Sequence, residues 1–97
     1  VIIAIDYDRT WSADPSTWNA VYELLLSRGH QVIMVTGRKQ WTDDMKRGNL
    51  PESLRIFYTN GQLKEWSLRT QRGPKVDIWI DDMPGMIQNC KLLQGDL

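Results

Sequence analysis

The chain has 97 residues, enough for one small domain spanning 1–97, and a formal net charge of zero. That balance gives no reason to expect a polyanion held by bulk electrostatics, and 41% apolar residues with five tryptophans exclude a disordered segment. One cysteine, Cys90, excludes an internal disulfide and fits a cytoplasmic setting; no apolar run has the length of a membrane span, and no signal peptide is visible.

Residues 1–5 form a continuous apolar run and predict a strand covered on both faces. Asp14 and Pro15 supply an N-cap and a first-turn proline for a helix that places Trp18, Val21, Tyr22 and Leu25 on one face and closes at Gly29. Residues 32–35 predict a second buried strand. A helix is expected over 39–47, with Trp41 and Met45 one turn apart. Leu54, Ile56 and Tyr58 alternate with Arg55 and Phe57 in a third strand, and Asn60-Gly61 is a turn. A short helix over 62–71 ends before Gly73-Pro74. Residues 76–80 predict a fourth strand, and Pro84 opens a last helix with Met86, Cys90 and Leu93 inward. Strand and helix alternate four times, which predicts a small Rossmann-like α/β fold: a parallel sheet of about four strands, right-handed crossovers and helices on both faces.

Ligands of open parallel sheets bind beyond the carboxyl ends of the strands. There the first strand is followed by Asp6, Tyr7, Asp8, Arg9 and Thr10, and the second by Thr36, Gly37 and Arg38. The third is followed by Thr59, Asn60 and Gly61 with Lys64 soon after, and the fourth by Asp81 and Asp82. Asp6 and Asp8, one residue apart, are costly at a buried strand end unless something positive meets them. Clustered carboxylates call for a cation, and all-oxygen ligands suit Mg²⁺. Hydroxyls, an ammonium and backbone amides around it suit a phosphate.

With those residues in order, the chain resembles the haloacid dehalogenase-like (HAD) superfamily of phosphohydrolases. Asp6, Asp8 and Thr10 match its Asp-x-Asp-x-Thr motif. Thr36 in "VTGR" matches the second motif, and Asp81-Asp82 in "IDDMP" the fourth. The motif lysine has two candidates, Lys64 and Lys75. Lys64 lies on the loop edge where a site belongs, whereas Lys75 directly precedes the fourth strand and belongs at the opposite edge. Two departures stand out: Arg9 replaces a common glycine, and the usual fifth strand is missing.

The resemblance implies a Mg²⁺-dependent phosphatase that works through an aspartyl-phosphate. Asp6 would be the nucleophile and Asp8 the general acid–base, with a pKa above that of Asp6. Asp6, Asp81 and the Asp8 backbone carbonyl would hold the metal, with Asp82 near it. Thr36 and Lys64 would meet the phosphoryl group, and Thr10, Gly37 and Arg38 the substrate. No cap domain fits in the intervals 11–35 and 37–63. The resemblance to a capless HAD core therefore implies an open site, with Arg9, Arg38 and Trp41 at its mouth. It suits a large or polymeric phosphorylated substrate, or a homo-oligomer whose neighbour acts as cap.

Plainer readings stand beside these. Asp81-Asp82 before Pro84 can cap a helix, and Asp43-Asp44 read as a solvated first turn. Arg38 divides between phosphate electrostatics and a surface ion pair. His30 reads as a turn residue, and Cys90 as core. Trp18, Trp66 and Trp79 read as packing; Trp11 and Trp41 follow site loops and divide between substrate contact and packing, with packing favoured. An acidic-site metal-dependent nuclease and a non-catalytic HAD-like binding module are the alternative functions.

Overall fold

A computed structural model describes residues 1–88 of the chain. Four parallel strands are joined by two α-helices and two 3₁₀ turns, and a third 3₁₀ turn follows the last strand. The strands are β1 (Ile2–Ile5), β2 (Gln31–Thr36), β3 (Arg55–Tyr58) and β4 (Ile78–Ile80). The helices are α1 (Pro15–Ser27) and α2 (Lys64–Thr70). The sheet order is β3-β2-β1-β4. β1 is thus central, aligned with β2 from Ile2 opposite Gln31 to Ile5 opposite Met34, and with β4 from Ile3 opposite Ile78 to Ile5 opposite Ile80.

Each side of the sheet carries its own core. On one, Ile3, Ile5, Val32, Met34 and Leu54 pack with Tyr22 of α1, and with Trp11, Met45 and Tyr7 from the loops. On the other, Ala4, Ile33, Val35 and Phe57 pack with Leu68 of α2, and Val76 and Trp79 lie against them. Alternate residues of β1 and β2 serve opposite cores, so the strands read as unbroken apolar runs. α1 starts as its sequence predicts. The Asp14 side chain accepts from the Thr17 amide at 3.2 Å, Pro15 takes the first turn, and Gly29 follows the helix with φ of 84°.

Three expectations change. The helix over 39–47 is a 3₁₀ turn over Asp43–Gly48, preceded by Thr42 in extended conformation. Thr42, Asp43 and Asp44 offer side-chain oxygens that compete with helical hydrogen bonding, and the Thr42 hydroxyl donates to Asp44. β4 begins at Ile78, two residues late, because the Asp77 side chain takes the Ile2 amide at 2.7 Å. Trp66 is half exposed: α2 turns Lys64, Ser67 and Leu68 inward and leaves Trp66 on its outer side. The sequence placed Cys90 and Leu93 on a last helix; both lie outside the described residues, and Met86 ends a 3₁₀ turn over Pro84–Met86. No described helix is long and apolar enough to cross a membrane.

Candidate active site

The loops after the four strands converge at one edge of the sheet. The loops after β2 and β3 are stitched together by main-chain bonds. Thr59 N–H donates to the Thr36 carbonyl (2.9 Å), Asn60 N–H to that of Arg38 (3.1 Å) and Gly61 N–H to that of Gly37 (2.9 Å). Asn60 and Gly61 both take positive φ, which turns the chain into α2. The Asp6 amide donates to the Ile80 carbonyl at 2.9 Å, so β1 and β4 stay paired up to the aspartates that end them.

Lys64, first residue of α2, is 4% exposed and points into this edge. Its Nζ donates to Asp6 Oδ1 at 2.8 Å and also to Asp81 Oδ2. Asp81 Oδ1 accepts from the Met83 amide at 2.8 Å, so Asp81 caps a local turn while serving the cluster. Asp6, Asp81 and Asp82 each bring one carboxylate oxygen within 4.8 Å of the others. Two of these three carboxylates share the one ammonium. The Asp6 pKa is raised to about 6: burial is the largest cause, Lys64 opposes it by hydrogen bond and charge, and the neighbouring Asp82 and Asp81 add to it. A hard cation with oxygen preference suits that donor set and its excess negative charge.

These groups border a cavity of about 220 Å³ that Asp8, Arg9, Gly37, Gln62, Met83 and Met86 also line. Asp8 is held there by Arg38. Its two carboxylate oxygens accept from Arg38 Nη2 and Nε at 2.8 and 2.9 Å. Arg9 has φ of 60°, and its amide donates to the Ser12 hydroxyl at 3.0 Å. That left-handed conformation is one glycine takes at no steric cost and arginine takes at some.

Thr10 and Thr36 are buried beside the cavity and do not line it. The Thr36 hydroxyl accepts from the Arg38 amide at 3.3 Å. Lys75 lines a different cavity, of about 490 Å³, along Leu68, Val76 and Trp79, whose only carboxylate among the described residues is Glu65. Trp11 is fully buried and donates from its indole to the Gly48 carbonyl at 2.7 Å; Trp41 is partly exposed. His30 Nδ1 lies 3.2 Å from the N-terminal nitrogen of Val1, at the other edge of the sheet.

Sequence reasoning passed over Asp44. It is no free first-turn acid: Arg38 Nη1 and Nη2 donate to its two oxygens at 2.9 Å each, which holds its carboxyl well below the usual carboxylate range. Its spacing of six residues from Arg38 was the available signal, and the helix expected over 39–47 hid it. No family model, curated protein or solved structure matches this chain.

Proposed function

We propose that this chain is a Mg²⁺-dependent phosphomonoester hydrolase of the HAD type, working through an aspartyl-phosphate on Asp6. The supporting observation is the Lys64 ammonium, buried between Asp6 and Asp81 within the three-carboxylate cluster. A lysine there leaves the carboxylates with net negative charge for a divalent cation, and it stands where charge develops on a phosphoryl group.

Asp6, Asp81 and Asp82 would hold the metal. When bound, Mg²⁺ lessens repulsion between a carboxylate and an anionic phosphate. A carboxylate oxygen of Asp6 bonds to phosphorus as the bond to the leaving oxygen breaks, and Asp8 gives that oxygen a proton. Water then attacks phosphorus and yields its proton to Asp8, releasing inorganic phosphate and the Asp6 carboxylate. Each Asp8 oxygen accepts one N–H from Arg38, which orients the carboxyl and leaves a second lone-pair site on it for the transferred proton. Lys64 stays protonated throughout and neutralises phosphoryl charge. Nothing larger than a 3₁₀ turn interrupts the described loops around the cavity, which suits the end of a bulky or polymeric phosphorylated substrate.

The test is release of inorganic phosphate from p-nitrophenyl phosphate with Mg²⁺, measured beside Asp6→Asn. Turnover by the wild type and none by Asp6→Asn supports the reading. Cleavage of a phosphodiester without phosphate release favours a nuclease, and binding without turnover favours a binding module; either overturns it.

A further inference from the structure

Asp8 borders two cavities. Beyond it lies a second one, of about 240 Å³, lined by Tyr7, Ser12, Arg38, Asp44, Arg47 and Gly48. The Arg38 guanidinium stands on the boundary. Its Nε and Nη2 donate to Asp8, its Nη1 and Nη2 donate to Asp44, and its Nη1 also donates to the Thr42 hydroxyl. These bonds use every N–H the group has. The guanidinium carbon lies 5.1 Å from the centroid of the Tyr7 ring, within cation–π range.

An arginine held at one edge can pivot about its long stem. Held at both edges and against a ring, it has one orientation. We infer that Asp44 is a positioning residue for the phosphoryl-transfer site: by clamping one edge of Arg38 it fixes the other edge on Asp8, and so sets where Asp8 stands beside Asp6. The inference rests on the phosphatase reading. Asp8 and Asp44 are half exposed, and ion pairs of that kind add about 1 kcal/mol or less to stability. The clamp therefore acts through geometry, and its loss shows in turnover before it shows in folding.

The experiment compares wild type, Asp44→Asn, Asp44→Glu, Arg38→Gln and the double variant Arg38→Gln/Asp44→Asn, with Mg²⁺ and p-nitrophenyl phosphate. Asp44→Asn is expected to lower kcat about 10-fold with KM held within about twofold, inside the ~10²-fold that a displacement of about 1 Å costs. Asp44→Glu, which keeps the carboxylate, restores most of that loss. In the Arg38→Gln background, Asp44→Asn costs nothing further, because its effect passes through Arg38. An unchanged kcat in Asp44→Asn, or the same loss in both backgrounds, overturns the inference. A wild type that releases no phosphate refutes the phosphatase reading instead. The clamp is then decided by the Arg38 Nε–H resonance: distinct in wild type and broadened in Asp44→Asn if the clamp exists, equally sharp in both if it does not.

Discussion

Lys64 and Arg38 each sit between two carboxylates, and Asp6 and Asp8 belong to the same short loop after β1, yet the two trios live in different surroundings. The side chains of Lys64, Asp6 and Asp81 are 5%, 8% and 2% exposed; those of Arg38, Asp8 and Asp44 are 22%, 49% and 52% exposed. In the buried trio an ammonium acts as a compact charge and leaves an excess of negative charge behind. In the outer trio a planar fork satisfies both partners, and water supports what remains. Burial turns the same charge count into a demand for another cation; exposure turns it into a fixed geometry. The first arrangement suits chemistry, and the second suits orientation.

The contrast breaks most sharply in turnover. Asp6→Asn is expected to remove nearly all phosphate release while the far-ultraviolet circular dichroism stays unchanged, since an amide is no nucleophile. Asp8→Asn should lose about 10²- to 10⁴-fold, the range of one acid–base group. EDTA should silence the wild type and Mg²⁺ restore it, whereas Ca²⁺, with its larger and looser coordination, should not. Full activity in EDTA would remove the metal from the account.

Stability gives the next largest effects. Lys64→Met leaves two buried carboxylates without their cation and should cost about 3–5 kcal/mol in urea unfolding with EDTA present. Added Mg²⁺ should return part of that loss, which tests the carboxylate cluster without any assay of activity. A loss under 1 kcal/mol would mean that water already supports the cluster.

The pH dependence has a definite sign. Asp6 ionises near pH 6 in the folded chain and near 3.8 when unfolded, so its stabilising contribution is fully present below about pH 4 and is lost as pH rises through 6. Without metal, the stability of Asp6→Asn relative to wild type should therefore climb between those values and level off at about 3 kcal/mol. Asp44 has the opposite sign: its contribution stands above about pH 4 and fades as pH falls below. A flat difference between wild type and Asp6→Asn from pH 4 to 7 would contradict the burial argument. The smallest effect belongs to the outer trio. Arg38→Lys should cost about 1 kcal/mol or less in the same unfolding assay, because its partners are half in water.

Much of this arrangement was legible in the residues. Apolar runs ending in Asp6, Thr36 and Asp81 locate strand ends, and Asp14-Pro15 and Gly29 bracket α1, because capping and strand burial act over a few neighbouring residues. Lys64 was separable from Lys75 by which sheet edge each occupies. The loop over 39–50 was not legible. Its conformation depends on partners distant in sequence: Met45 in the α1-side core, Gly48 beneath the Tyr7 ring, and Arg38 bridging Asp8 to Asp44. A helical pairing of Trp41 with Met45 was plausible locally and lost to those contacts. The exposure of Trp66 was missed for a similar reason: a seven-residue helix gives its apolar positions too few neighbours to reveal which side faces the sheet.

The central place of β1 has a kinetic consequence. On a ribosome, Asp6 and Asp8 emerge before Lys64 and Asp81, and β2 and β3 can join β1 while β4 is still being made. The other flank of β1 waits for β4, and the buried aspartates wait for Lys64 and Asp81. Long-range parallel pairings close late because their loop entropy must be overcome first. Until then Asp6 stays hydrated, and the nascent sheet carries Ile3 and Ile5 on an open edge. The acidic cluster and the last exposed apolar edge are therefore completed together, so that a chain halted before residue 81 lacks the cluster and is prone to aggregate.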